Sequence, residues 1–183
     1  VASLLAAFRA IALDKAGNSG NGSLLVADFG SAIYEIDFAG NILAKPDFGA
    51  LDYGINRAGY VIHSAIHEAR HDVDCVIHTH TRAGIAVSAM QEGLLPLSQT
   101  AMRFHGHLAY HDYEGPAFNR GEKQRLVTHL GRHNAMILRN HGLLVCGPSI
   151  PQAFNLIYWL EQACRIQVQT LSCQRPLHKA KPE

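Results

Sequence analysis

The sequence predicts an α/β fold in which a mixed or largely antiparallel sheet is covered by helices on both faces. Two observations carry the prediction. Stretches with helical apolar spacing alternate with short β-branched apolar runs along the whole chain, the pattern of a sheet with helical cover. Two connections of hairpin length join neighbouring strands without a crossover helix, which makes those pairs antiparallel. A third observation bounds the size: 183 residues, 48% hydrophobic and 17% charged, is a globular profile with material for one core. The expectation is a single domain over residues 1–183 with a frayed tail from about residue 174, where the last residues read HKAKPE.

The opening residues 2–15 read as a helix, ended by the turn-rich residues 16–22 (AGNSGNG). This apolar start is broken by Arg9 and Asp14 and lacks a basic leader and a clear small-residue cleavage site, so it reads as a helix rather than a signal peptide. Beginning at Val1 rather than methionine, the natural product is expected to extend further upstream. Residues 23–28 and 32–38 read as strands; in the second, Ile33, Glu35 and Asp37 alternate with Tyr34, Ile36 and Phe38. The turn at residues 38–41 leads to Ile42 and Leu43. Residues 59–71 have helical spacing, with Ile62, Ala65, Ile66 and Ala69 on one stripe. Residues 72–80 (DVDCVIHTH) read as a strand, 84–91 as a short helix, 107–113 as a strand and 119–133 as an amphipathic helix. Apolar strands at 135–138 and 143–145 flank the sharp Asn140-His141-Gly142. Ser149 caps a long helix running to about residue 171, with Pro151 in its first turn.

A formal net charge of +1 excludes recruitment of nucleic acid or an acidic membrane by a long-range field. No apolar run is long enough to span a membrane. Cys75, Cys146, Cys164 and Cys173 show no C-x-x-C spacing, and Cys75 and Cys146 lie in apolar runs as small buried hydrophobes, which suits a reduced, cytoplasmic protein. Twelve histidines against one tryptophan raise the expectation of a metal site.

His78-Thr79-His80 stands at the end of a predicted strand. Alternate strand residues share a face, so two imidazoles one pleat apart can converge on one cation. His141 ends another apolar strand, and Gly142 after it lets the backbone turn sharply. If the two strand ends are adjacent, three rings surround one ion, the ligand count of a catalytic zinc site with one open position. Iron, copper and nickel also accept imidazole. A histidine pair hydrogen-bonded at a strand end is the bland alternative.

Residues 69–88 (ARHDVDCVIHTHTRAGIAVS) and 135–145 (AMILRNHGLLV) resemble the two core motifs of the class II aldolase/adducin family. The order, the spacing and the long helix after the second motif agree with it, and the resemblance runs from about residue 24 to 171. It implies a three-layer α/β/α sandwich with a central mixed, largely antiparallel sheet. It implies a divalent metal, zinc before others, on His78, His80 and His141, and a homo-oligomer, often a tetramer. The activity implied is that of a metal-dependent lyase acting on a small hydroxy-carbonyl, carbohydrate-like compound, or a related enediolate-forming reaction. Asn56, Thr81 and Tyr110 are the candidate substrate-binding residues.

The pattern also departs from the family. Sugar-phosphate-cleaving members carry a glutamate upstream of the paired histidines, and Gly59 occupies that position here. Arg57 and Ala58 replace the serine pair that helps hold phosphate, and residues 16–22 match the phosphate-gripping loop only loosely, so phosphorylated sugars are disfavoured. His63, four residues after Gly59 on the same helix face, reaches back toward that position and is the candidate catalytic base, or else a residue that supports the metal ligands from behind; a histidine packed under the sheet is the bland alternative. His105, Gly106 and His107, with Tyr110, His111 and Asp112, form a further polar cluster that can line the pocket mouth, supply a proton donor, or be a solvated edge. Two other classes compete. The adducin branch uses the same fold as a non-catalytic interaction module. His67, Glu68 and His71 match the H-E-x-x-H metalloprotease pattern, but the predicted helix ends at His71, and a solvent-facing helix edge accounts for both histidines.

Overall fold

The computed structural model describes residues 8–14, 23–27, 33–36, 42–44, 57–115 and 120–180, with side chains from residue 61 onward apart from those of residues 120 and 122. Eight strands, β1 (Phe8–Asp14), β2 (Ser23–Ala27), β3 (Ile33–Ile36), β4 (Ile42–Ala44), β5 (Cys75–Thr79), β6 (Leu108–His111), β7 (Ala135–Leu138) and β8 (Gly142–Gly147), form one sheet in the order β4-β3-β2-β1-β5-β8-β7-β6. Every neighbouring pair is antiparallel except β6 and β7. Five helices are described: α1 (Arg57–Ala69), α2 (Arg82–Ser88), α3 (Gln99–Met102), α4 (Arg120–Leu130) and α5 (Ile150–Ser172). The parallel β6–β7 step is the one that needs a crossover, and α4 supplies it. This is the expected mixed, largely antiparallel three-layer sandwich.

The sheet's alternation sorts the core into two layers. Val76, Met136, Leu138, Leu144 and Cys146 meet Ile62, Ala65 and Ile66 of α1 and Leu126 and Leu130 of α4. The intervening positions, Cys75, Ile77, Ile137, Leu143 and Val145, meet Val87 of α2 and Ala153, Ile157, Leu160 and Cys164 of α5. Strands buried on both faces read as continuous apolar runs, which is why β7 and β8 show no polar alternation. Each fully buried leucine or isoleucine contributes about 1.5–3 kcal/mol to this packing.

The opening stretch is not a helix over its described part. Phe8–Asp14 is β1, hydrogen-bonded between β2 and β5 with Phe8 opposite Thr79 and Ala12 opposite Cys75. A short apolar run with small residues suits either element, and pairing with segments far along the chain decides it. Residues 2–7, and the predicted turns at 16–22 and 38–41, lie outside the described residues.

Local chemistry sets the other boundaries. The strand expected from residue 72 begins at Cys75, because Arg70 and Asp72 form a turn after α1. The Arg70 guanidinium makes paired hydrogen bonds to Asp72 at 2.8 and 2.7 Å and donates to the carbonyls of Gly131 and His133 at 3.0 and 3.1 Å. It thereby ties the end of α1 to the turn before β7, and it holds the Asp72 carboxyl down at about 2. Thr81 caps α2 by accepting from Gly84 N at 3.2 Å, so the helix starts two residues earlier than its periodicity suggests. Ser98 caps the short α3, which the sequence reading lacks, by accepting from Ala101 N at 3.1 Å. Ser149 caps α5 as expected, accepting from Gln152 N, with Pro151 in the first turn.

The turn between β7 and β8 differs in detail from the expectation. The left-handed residue is Asn140, at φ 55°, while Gly142 does not have a positive φ. Glycine is needed at 142 for closeness: a Cβ there would stand 2.2 Å from the carbonyl oxygen of Thr79. Replacing Gly142 by alanine must therefore push β8 away from β5. The G142A variant should lose about 1–3 kcal/mol of stability, the usual cost of overpacking, read as a lower urea midpoint at unchanged slope. Wild-type stability would show that the strands can part freely.

Candidate metal centre

Two chain segments build the centre. His78 occupies the next-to-last position of β5, on the same face as Val76, and His80 follows one pleat beyond. β8 lies antiparallel to β5, with His78 opposite Leu144 and Thr79 opposite Leu143, so the turn preceding β8 sits beside the end of β5. That turn carries His141, whose N–H donates to the Leu138 carbonyl at 3.1 Å, while Asn140 N donates to Ser88 O at 3.2 Å. The Nε2 atom of His78 is 2.7 Å from that of His80 and 3.3 Å from that of His141, and the last two are 2.8 Å apart. Ring centroids are 4.6–4.7 Å from one another.

The donor set fits a cation. His78 is 2% exposed, and its Nδ1–H donates to the Leu143 carbonyl at 2.8 Å, which leaves Nε2 as a lone pair facing the other two rings. Burial first, and then His141, His80 and His63, hold the His78 imidazole well below its ordinary range, so it is neutral near pH 7. Nitrogen lone pairs converging at this spacing repel unless a proton or a metal lies between them, and neutral imidazole is the form that binds metal. Among the described residues this is the one group of three or more histidine, cysteine or carboxylate donors that converges.

The environment of the centre is uneven. On one side Thr81, immediately after His80, donates its hydroxyl to Glu161 of α5, a nearly buried carboxyl that burial pushes up. On the other side a pocket open to solvent is lined by His141, His111, Tyr113, Lys123 and Arg139, with Ile62 and Leu138 as its apolar wall. The Tyr113 ring stands edge-on to His141 at 6.4 Å. Lys123 donates to Ser64 Oγ at 2.9 Å and faces Glu68 at 3.5 Å. Arg139 donates to the Met90 carbonyl at 2.6 Å, and its guanidinium lies 4.4 Å from the Tyr110 ring centre.

The remaining candidates divide. His63 is buried in α1, on the layer that covers the His78 face, near enough for its charge to act on His78. Thr81 adjoins the centre in sequence but serves as helix cap and Glu161 partner. Tyr110 is not brought to the three histidines: it faces the α5 layer, and its hydroxyl accepts from Leu94 N at 3.0 Å. Asn56 lies outside the described residues. The polar cluster around residue 107 is split by β6, whose alternation buries His111 on the pocket side, while His105 and His107 are exposed in the preceding turn. His67 is not a solvent-facing edge residue: it is buried, because α1 packs this face inward, and His71 is exposed beyond the end of α1. Tyr113, Lys123, Arg139 and Glu161 carried no sequence signal that tied them to the site, since their placement depends on contacts across the sheet.

Stability should therefore depend on pH. The unfolded chain takes up a proton at His78 near the ordinary imidazole value of about 6.5, whereas the folded site resists it. The folded pKa is depressed, so this contribution is complete above pH 6.5 and is lost as pH falls toward the folded value. The metal-free protein should show a falling urea midpoint from pH 7 to 5.5, and H78N should flatten that slope. An unchanged slope would show that His78 titrates freely when folded.

Comparison with known proteins agrees with this architecture. The family model "Class II Aldolase and Adducin N-terminal domain" matches residues 27–168. A provisionally named aldolase class 2 protein of Pseudomonas aeruginosa is 49% identical over 158 residues, covering 84% of this chain and 60% of its own length. Alpha-adducin of Rattus norvegicus is 42% identical over 164 residues, covering 85% of this chain and 22% of its own. The crystal structure of an aldolase II superfamily protein from Pseudomonas syringae superposes with a TM-score of 0.80 at 45% identity, covering 91% of this chain and 67% of that one. This chain thus spans less than two thirds of the length of the first sequence relative and under a quarter of the second. The matched segment contains all three convergent histidines and the β5–β8 pair that brings them together, and the chain belongs to the class II aldolase and adducin N-terminal domain family.

Proposed function

We propose that His78, His80 and His141 hold a divalent cation, zinc in the first instance, and that the protein is a metal-dependent class II aldolase-type lyase or a related enediolate-forming enzyme. The observation that carries this reading is the convergence of three Nε2 atoms within 3.3 Å, with His78 fixed through Leu143. A cation on three neutral imidazoles supplies undiminished positive charge to polarise a carbonyl and an adjacent hydroxyl. The chain's own groups do the rest. The Leu143 carbonyl orients His78, the Thr81–Glu161 bond anchors the segment after His80, and Asn140 with Gly142 presents His141 at the pocket. The substrate class is a small, unphosphorylated hydroxy-carbonyl compound, because Gly59, Arg57 and Ala58 lack the carboxylate and hydroxyls used with sugar phosphates. A cytoplasmic homo-oligomer, tetrameric by resemblance, completes the proposal. No described helix is long and apolar enough to cross a membrane.

A second reading, a non-catalytic interaction module, is favoured by the identity to alpha-adducin together with the missing carboxylate at residue 59. Metal analysis and turnover separate the two. The purified protein should bind about one zinc per chain, and H141A or H78A should weaken binding at least about a hundredfold, the upper end of what losing an outer hydrogen-bond partner costs. H71A should leave binding unchanged. Zinc together with turnover of small hydroxy-ketones or hydroxy-acids supports the enzyme; neither zinc nor turnover supports the module. Loss of metal in H71A would instead revive the metalloprotease pattern.

A further inference from the structure

We propose that His111 is the acid–base residue of the pocket beside the three histidines and that His129 relays its proton to solvent. The proposal rests on reading the site as one that forms an enediolate from a small hydroxy-carbonyl compound. It begins with the alternation of β6, which sends Tyr110 to the α5 layer and buries His111 on the opposite layer, the side of the sheet that carries His78. There His111 shares one pocket wall with His141. His111 is 5% exposed, and its Nδ1 lies 2.8 Å from Nδ1 of His129, an exposed residue in the last turn of α4.

An N···N bond of this length holds one proton, so one ring donates and the other accepts. With His111 donating from Nδ1, its Nε2 is left with a lone pair, and this buried atom has no hydrogen-bond partner among the described residues. Burial, then the neighbouring His129, keeps His111 in its neutral, basic form against the opposing pull of Glu114 and Asp112, while Arg125 acts in the same direction as His129. The other charged groups facing the pocket are engaged or exposed. Glu114 accepts from Arg125, whose one Nε–H is shared between its carboxylate oxygens at 2.8 and 3.0 Å and whose Nη2 also donates to it. Lys123 is bonded to Ser64, Arg139 to Met90, and Asp112 is exposed. Residue 59 offers no carboxylate.

The proton balance closes without a co-reactant. A carbon-bound hydrogen α to the substrate carbonyl leaves as a proton to His111 Nε2, and its electron pair stays on the substrate as the enediolate. The Nδ1 proton of His111 passes to His129 Nδ1, and the proton on the outer nitrogen of His129 goes to water or buffer. The reverse sequence returns a proton to carbon.

Carbon-bound hydrogen exchange in deuterium oxide reads this step directly. The zinc-loaded protein is mixed with dihydroxyacetone, hydroxyacetone and glyceraldehyde, and deuterium uptake is followed by proton NMR. H111N should lose about 10²–10⁴-fold in exchange rate with its zinc content intact, the usual contribution of a positioned acid or base. H129A, altered at an exposed position, should lose less and be restored by imidazole added to the buffer, a rescue that a structural role would not give. Nitrogen-15 NMR of the zinc-loaded protein should find the His111 proton on Nδ1. Exchange in H111N within about threefold of wild type overturns the proposal, as do H129A defects that imidazole leaves untouched, a His111 proton on Nε2, or no exchange by the wild-type protein. Zinc content measured alongside separates the failures: a protein that binds no zinc defeats the metal reading, whereas a zinc-loaded protein with normal exchange in H111N defeats only this one.

Discussion

The antiparallel pairing of β5 with β8 is the constraint on which the site depends. It places His78 opposite Leu144 and brings the turn before β8 against the last residues of β5. The same contact supplies the Leu143 carbonyl that orients the His78 ring. It also makes Gly142 obligatory, since the strands approach too closely for a side chain at that point. Register, the orientation of the His78 ring and the glycine are thus consequences of one strand pair. A slip of one residue would turn His78 to the α5 layer, because strand side chains alternate faces.

The two helical layers do different work around that pair. On the α5 side, Glu161 receives the Thr81 hydroxyl, so a long helix is fastened to the residue that follows His80. Gln167 of the same helix donates to the Gly93 carbonyl at 2.8 Å and accepts from Leu95 N at 2.6 Å, holding down the loop after α2. Buried polar groups satisfied in this way act as rigid fasteners. The α1 and α4 side is where the pocket opens and where His111, Lys123 and Tyr113 gather. The histidines are thus braced from behind and open to the pocket in front, an arrangement that suits the proposed small-molecule site.

Much of the fold was legible because the relevant signals are local. Helical periodicity located α1, α4 and α5, with Ser149 and Pro151 marking the start of α5 to the residue. Period-two reasoning placed His78 and His80 on one side of a strand, and the apolar runs around residues 135–145 announced β7 and β8. The readings that needed revision are those in which distant partners decide. Phe8–Asp14 became a strand because β2 and β5 flank it. His67 became a buried residue because α1 turns that face inward. Tyr110 and His111 looked like one polar cluster but lie on opposite sides of the sheet.

By itself the sequence determined the element types over most of the chain, the two-sided burial of the central strands, and the identity of three imidazoles suited to one cation. These follow from residue type and spacing, which act within a few positions along the chain. Tertiary structure alone decided that the β8 turn meets the end of β5, that the Leu143 carbonyl and Glu161 brace the histidines, and that His111 reaches the pocket with His129 behind it. Those relations join residues between 18 and 80 positions apart. No local propensity encodes such distances; they arise when burial of apolar faces on both sides of the sheet selects one register and one set of neighbours.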